Sequence, residues 1–434
     1  MRFLYIFLLI FFLLAFIRVP VSFSMGISAV ATYFVAGLHT ASIAPALYSG
    51  LNSFTYLAIP AFVLAGDIMG ACGISKRIVD FVNSFIGRFR GSLGAVAVVT
   101  SALFGTLTGS SLATVSTICG MMLPEMERAG YSRQYSTALI ASAGFLGILI
   151  PPSIPGIVYA MMSGDNLMEV WLCTVGPGIL ITIVFCLINF WRHGRHEEKT
   201  QEPFCFNTYI TGIGTATKDS LLALLMPVII FYGIYGGIFT PTEAGGVSVL
   251  YGLIAGFFLI PLVYKQRPQT PLTRMISNSA LSSASICMII AFSAIAGRMI
   301  TMTRIPSYLT EFMMGITNSR WMFLVIVNIL LIIVGIFMDS NASILILGPV
   351  LIPMAEAYGV NTTHFAAIML LNLEIGFITP PMAGNLFVAC RISGLSIDEI
   401  IKDLIPFFLG AVVVLIITTY FPAVATFLPN LIRG

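Results

Sequence analysis

Apolar residues run through this chain in long blocks. A first run covers Leu4 to Ile17, a second extends from the Arg18-Val19-Pro20 break to about Gly37, and a third covers roughly Leu57 to Met69. Further runs lie at about 220 to 238, 243 to 263 and 276 to 300. A helix of about 20 apolar residues matches the hydrocarbon thickness of a bilayer, so the blocks predict repeated membrane crossings. The first run lacks a basic n-region of any size and an A-x-A cleavage site, and is expected to be a retained helix rather than a secretory signal.

Two stretches depart from this pattern. Between residues 76 and 90 apolar side chains stand at 78, 79, 82, 85, 86 and 89, with basic residues at both ends. That spacing predicts an amphipathic helix lying along the membrane interface. Arg192 to Asp219 is the longest polar stretch, holds eight charged residues near the middle of the chain, and is expected to link two halves.

Composition narrows the class. Of 434 residues 58% are hydrophobic and 9% charged, against roughly 25% charged in soluble domains. A water-soluble domain is excluded. The 39 Gly and 22 Pro suit membrane helices better than a barrel of alternating short strands. The expected fold is therefore an all-α polytopic membrane protein. A scattered net charge of +3 gives no nucleic-acid footprint. The seven Cys have neither CxxC nor Cys/His spacing, which predicts buried thiols rather than disulfides or a metal centre. His193, His196 and His364 are expected to face solvent or the interface. Basic clusters around Arg18, Lys76 to Arg90, Arg128 to Arg133, Arg192 to Lys199 and Lys265 to Arg274 fit on one side of alternating spans. The positive-inside rule makes that side cytoplasmic and puts both termini outside.

The halves repeat. Ser111, Pro124, Glu127, Gly130, Gly147, Pro151, Pro152 and Pro177 each have an identical partner 229 positions later, at Ser340, Pro353, Glu356, Gly359, Gly376, Pro380, Pro381 and Pro406. With the linker inside, the second copy must enter the membrane from the opposite face. Inverted repeats with interrupted helices are a recurrent architecture of secondary transporters, which hold substrate and ions near the midplane.

The best-matched segments are Gly147 to Ser153 and Gly376 to Met382, each carrying Pro-Pro inside an apolar span. Two adjacent prolines remove two donors and clash with the preceding turn, so both helices are expected to break at mid-membrane. The freed carbonyls need a partner there, and a dehydrated cation or neighbouring Ser and Thr would serve. A second pair, Phe104 to Thr114 and Gly335 to Ser343, places Gly, Ser, Thr, Asn and Asp between arms of about 15 residues, short of a full span. These predict two re-entrant hairpins with polar tips, although small-residue helix packing would also use Gly109-Ser110-Ser111. Asp67, Glu243, Arg298, Asp339 and Glu374 are costly at membrane depth and so are functional candidates. Arg298 admits two readings, a fork for a substrate carboxylate or a snorkelling arginine near a span end. Glu243, in Thr240-Pro-Thr-Glu243, reads as an acid at a helix N-terminus.

Together these residues resemble the large membrane subunit of the tripartite ATP-independent periplasmic transporters, over essentially the whole chain. The motifs that carry the likeness are Gly105 to Thr114 with Leu123-Pro-Glu-Met126, Gly147 to Ser153, Gly237 to Ala244, Gly335 to Asp339, and Asn372 to Pro381. The resemblance implies an elevator transporter of two inverted repeats, importing an organic anion such as a C4-dicarboxylate or sugar acid. It further implies Na+ as coupling ion, a periplasmic substrate-binding protein that delivers the solute, a small four-helix membrane subunit, and the bacterial inner membrane as location. Carried over by position, one sodium site falls on Gly335, Gly376, Thr379 and Met382, and the 229-residue offset puts its twin on Thr106, Gly147, Ile150 and Ser153. Ser110, Ser111, Ser340, Asn341 and Asn385, with Arg298, are the substrate candidates. Asn341 departs from the family, which often has an apolar residue or proline there.

The implied organisation is scaffold helices at 1–75, the interfacial helix at 76–91, hairpin and broken helix at 92–165, a connecting helix at 166–191 and the linker at 192–219. Scaffold helices at 220–303, an interfacial arm at 304–320, the second hairpin and broken helix at 321–398 and a C-terminal helix at 399–434 complete it. A stand-alone sodium- or proton-coupled symporter without a binding protein is the alternative. An enzyme would require a paired-carboxylate or His-rich site, which the sequence does not display.

Overall fold

A computed structural model describes residues 2–87, 91–193, 206–266, 268 and 270–433. Among these, every regular element is a helix. Eight helices are long and apolar enough to cross a membrane, and the pair Arg133–Leu149 and Ile154–Ser163, bent by 44°, makes a ninth crossing. The exterior is apolar, as lipid requires, with Phe16, Trp191 and Leu262 largely exposed.

The centre of the fold is built from two copies of one unit. Hairpin 1 pairs Ser92–Thr108 with Ser111–Arg128, and hairpin 2 pairs Arg320–Phe337 with Ser340–Ala357, whose 18-residue arms exceed the expected 15 and are among the eight long enough to cross. A broken helix follows each. The first comprises Arg133–Ala143, Leu146–Leu149 and Ile154–Ser163, and the second comprises Thr362–Gly376 and Gly384–Ser393. The long helices Leu167–His193 and Ile397–Tyr420 close the two units. The 229-residue offset reappears in the helix starts Ser111 and Ser340, Arg133 and Thr362, and in the left-handed turn glycines Gly130 and Gly359.

Hydrogen bonds fix the relative direction of the units. Arg133, at the start of the first broken helix, donates from Nε to the carbonyl of Ser393 at the end of the second, at 2.7 Å. Its repeat mate Thr362 donates from Oγ1 to Asp165 just past the end of the first, and accepts from the Tyr159 hydroxyl on its carbonyl, both at 2.7 Å. Each broken helix begins where the other ends, so the two are antiparallel and the repeats are inverted. The two closing helices meet the first broken helix in an aromatic cluster, where Phe185 packs edge-on against Phe145 and Phe407.

The remaining helices flank this centre. They are Arg2–Phe16, Val21–Val35, Ile43–Leu51, Ala58–Ala71 and Ile74–Ile86 on one side of the sequence repeat, and Phe206–Tyr235, Pro241–Ile254, Leu272–Met302 and Ile305–Ile316 on the other. Ile74–Ile86 is amphipathic, burying Ile74, Ile78, Val79 and Val82. The end of the stretch read as amphipathic, residues 88–90, lies outside the described residues.

Several expectations need correction. Ile43–Leu51 is an additional helix, too short to register as a span. Half of the expected linker is helical, because Phe206–Tyr235 starts 14 residues before the expected span; positions 194–205, with His196, lie outside the described residues. The stretch expected as one C-terminal helix is two, Ile397–Tyr420 and Ala423–Arg433, divided at Pro422, whose missing N–H interrupts the ladder. His364 is fully buried rather than interfacial, its Nε2 within 2.8 Å of the Thr418 carbonyl. Glu243 does sit at a helix start, where it and Thr240 form a reciprocal capping box. The described cysteines are all free thiols.

Candidate functional site

Local chemistry sets the two tips. In hairpin 1 the chain reverses at Gly109, whose φ of +58° is left-handed, and where a Cβ would come within 2.8 Å of the Pro152 carbonyl oxygen; glycine satisfies both demands. Ser110 then caps the second arm by accepting from the Ala113 amide. In hairpin 2 the equivalent cap is Asp339, which accepts from the amides of Asn341 and Ala342 at 3.0 and 3.2 Å. The first repeat thus caps with a hydroxyl where the second uses a carboxylate.

Each tip is held against the break in its own broken helix. A Cβ on Gly376 would lie 2.4 Å from the Gly335 carbonyl carbon, and one on Gly147 2.9 Å from the Ser110 carbonyl oxygen. Only hydrogen at these positions allows such backbone approach. The breaks coincide with cis Pro151-Pro152 and Pro380-Pro381. They differ in surroundings, since Pro151, Pro152 and Ser153 are buried whereas Pro381 and Met382 are exposed.

The tips converge on one carboxylate. Ser340 Oγ donates to Glu374 Oε1 at 2.5 Å, and Ser111 faces the same group from hairpin 1. Glu374 is fully buried. Position 145, its counterpart in the first repeat, is Phe, so the second repeat alone supplies acids here. Around this cluster lies a cavity of about 330 Å³ lined by both tips, by Ile148 and Phe377 of the broken helices, and by Ser285, Ile286 and Ile289 of Leu272–Met302.

The structure therefore brings Ser110, Ser111, Ser340 and Asn341 into one cavity. Arg298 is elsewhere. It lines a second cavity of about 350 Å³ with Tyr56, Met161, Ser293, Leu345 and Pro349, farther along the same helix. Asn385 lines neither; it is fully buried, and both its side-chain polar atoms lack partners among the described residues. Asp339, Glu374 and Ser285 complete the tip cavity. Asp339 and Glu374 stood out in the sequence as membrane-depth charges, whereas nothing distinguishes Ser285 from its serine-rich neighbours.

The oxygen-rich positions group by break. Thr106 bonds Leu103 O at 2.7 Å, and Ser153 Oγ accepts from the Gly156 amide while its carbonyl accepts from Trp171 Nε1. Thr379 Oγ1 donates to Ile375 O at 2.7 Å. Ile150 is extended, with φ −94° and ψ 117°, so the carbonyls beyond it leave the helical ladder. Among the described residues no cluster of His, Cys, Asp or Glu could hold a transition metal.

Comparison with known proteins matches residues 8–424 to the family described as tripartite ATP-independent periplasmic transporter, DctM component. The chain belongs to that family. The C4-dicarboxylate TRAP transporter large permease protein DctM of Pseudomonas aeruginosa is 35% identical, over 90% of this chain and 89% of the relative. The sialic acid TRAP transporter large permease protein SiaM of Vibrio cholerae is 31% identical over 97% of both. The isethionate TRAP transporter permease protein DctMQ of Oleidesulfovibrio alaskensis is 33% identical over 95% of this chain, which covers 64% of that protein. Among solved structures the fold is similar to the YdaH transporter of Alcanivorax borkumensis, with a TM-score of 0.52 at 14% identity over 85% of this chain and 86% of that one. As a TRAP large permease, the chain is a multi-pass protein of the bacterial inner membrane.

Proposed function

We propose that this permease imports an organic anion in symport with sodium, by an elevator motion of the two hairpins and broken helices against the flanking helices. The observation that carries the reading is the tip cavity, where two inverted repeats meet and the one flanking element present is Leu272–Met302. A site held by the repeats and walled by a separate helix is suited to being carried past that wall. The partners follow from the family: a small four-helix membrane subunit on the flanking helices, and a periplasmic binding protein that delivers the solute.

The residues at the breaks fit a hard cation. Their donors are backbone carbonyls and hydroxyls, the glycine contacts bring tip and break backbones together, and Asn385 offers unpartnered polar atoms nearby in sequence. Thr106, Gly147, Ile150 and Ser153 would hold one Na+, and Gly335, Gly376, Thr379 and Met382 another. Bound there, the ion supplies positive charge beside the cavity, which favours an anionic solute. The protein's part is to hold the breaks open against water and to present the tip amides and hydroxyls to the solute.

Uptake of labelled organic acids into proteoliposomes tests this, with the chain and its small subunit, with and without binding protein and an inward sodium gradient. The expected result is uptake that requires both. Uptake independent of the binding protein would identify a stand-alone symporter, and uptake indifferent to sodium would remove the coupling ion.

A further inference from the structure

The flanking helix Ala58–Ala71 is held on three sides, which its 3.6-residue turn sets roughly a third of a circle apart. On the first, a Cβ on Gly245 of Pro241–Ile254 would lie 2.9 Å from the Ala61 methyl. On the second, Asp67 Oδ2 accepts from Ser279 Oγ of Leu272–Met302 at 2.5 Å. The third side meets the first repeat. Phe62 packs edge-on against Trp171 at 6.0 Å between ring centroids, and Trp171 Nε1 donates to the Ser153 carbonyl at the first break. One turn on, a Cβ on Gly66 would stand 2.9 Å from the Leu107 carbonyl oxygen and 3.1 Å from Thr108 Cα, at the tip of hairpin 1. In a membrane, small residues are what allow backbones to approach so closely. The tip itself is braced, with Thr108 Oγ1 3.2 Å from Thr114 Oγ1 across the turn and the Gly109 amide donating to Gly105 O at 2.8 Å. A side chain at 66 would therefore press on backbone that neither the pinned helix nor the braced tip can move alone. Gly70, a further turn along the same face, has nothing within 4 Å of its would-be Cβ.

We propose that Gly66 is a seat for hairpin 1 on the flanking helices, so that the size of residue 66 sets how often the moving unit occupies the position seen here. This rests on the elevator reading of the permease. Leu107 and Thr108 belong to the part that travels, and Ala58–Ala71, pinned to two other flanking helices, to the part that stays. A packing glycine inside one rigid body affects stability alone. One placed between two bodies shifts the balance between their arrangements.

The test is pulsed EPR on the full-length chain in nanodiscs, with and without sodium. Spin labels go on non-natural amino acids at Leu250 of Pro241–Ile254 and Ile329 of hairpin 2, both exposed, which leaves the native cysteines in place. Gly66→Val is expected to lower the weight of the distance that matches this structure by about tenfold relative to a second distance. Gly66→Ala should lower it by less, and Gly70→Ala should leave it unchanged. Uptake should fall in the same order while the melting temperature holds. Gly66→Ala carries the test if Gly66→Val fails to fold. Two distances in a ratio that residue 66 does not change, whatever the melting temperature does, would overturn the seat and leave the elevator in place. One and the same distance in every variant, with and without sodium, would overturn both.

Discussion

Ser340 Oγ lies 2.5 Å from Glu374 Oε1, joining the tip of hairpin 2 to the broken helix behind it. Ser111, the repeat mate of Ser340, faces the same carboxylate from the other half of the molecule. One buried acid therefore joins the two copies at the cavity they share. Removing the Ser340 hydroxyl leaves Glu374 buried without its strongest donor, at a cost of about 1–3 kcal/mol. Ser340→Ala should abolish or severely reduce uptake and lower the melting temperature in detergent. The Ser111→Ala and Ser340→Ala effects should be non-additive, because both act on one group; strict additivity in a double-mutant cycle would mean that the serines do not share it.

Gly376 faces Gly335 so closely that a methyl would overlap backbone, with 2.4 Å to its carbonyl carbon. Backbone on both sides gives way less readily than a side chain, so Gly376→Ala should push hairpin 2 off the broken helix and weaken sodium-dependent uptake. Gly120, in the middle of Ser111–Arg128 with nothing near its would-be Cβ, is the control. Gly120→Ala should leave uptake unchanged and, if anything, stabilise the helix by roughly 0.5–1 kcal/mol.

Thr379→Val keeps shape and removes the hydroxyl that bonds Ile375 O. The expected result is a folded protein whose uptake no longer rises with external sodium, read as a sodium titration in proteoliposomes. An unchanged sodium curve would exclude Thr379 as a ligand.

Much of this architecture is legible in the sequence because proline, glycine and charge are expensive in lipid. Pro151-Pro152 and Pro380-Pro381 mark the breaks, and Gly130 and Gly359 the turns, since few other residues suit those backbones. Convergence on Glu374 is not legible, because it joins residues 34 positions apart to a tip more than 260 positions away. Equivalent positions with unlike residues are also hidden. Tyr135 and His364 stand 229 apart and bond the helices that close their units, Tyr135 to Asn189 Oδ1 at 3.2 Å and His364 to Thr418 O at 2.8 Å. Asn189 and Thr418 are again 229 apart. Burial made the same contact necessary twice, and different side chains meet it, so identity matching passes over both.

Arg304 holds a backbone conformation that glycine usually takes. It immediately precedes Ile305–Ile316 with φ +53°, and Gly73 immediately precedes Ile74–Ile86 with φ +73°. The left-handed conformation costs a side-chain-bearing residue about 1 kcal/mol, while glycine enters it freely. Arg304→Gly should therefore retain the fold and the melting temperature, whereas Arg304→Val, β-branched at the same φ, should lower it.

The links that set the two broken helices antiparallel yield the last prediction. Arg133 holds the end of the second broken helix through Ser393 O, and Tyr159 with Asp165 holds the start of that helix at Thr362. These contacts sit at opposite ends of the same pair of helices. Tyr159→Phe removes one hydrogen bond to a backbone carbonyl, worth about 1 kcal/mol. Arg133→Gln removes the Ser393 bond and the 3.0 Å pair with Glu127, of which the exposed pair contributes little. With no shared partner and the length of the helix pair between them, the two losses should add within about 0.5 kcal/mol in thermal unfolding. If the broken helices travel as one rigid body, both variants should lower stability and slow uptake without altering the sodium concentration for half-maximal rate. A shift in that concentration with Tyr159→Phe would mean that the clasp at Thr362 acts on the ion sites rather than on the body that carries them.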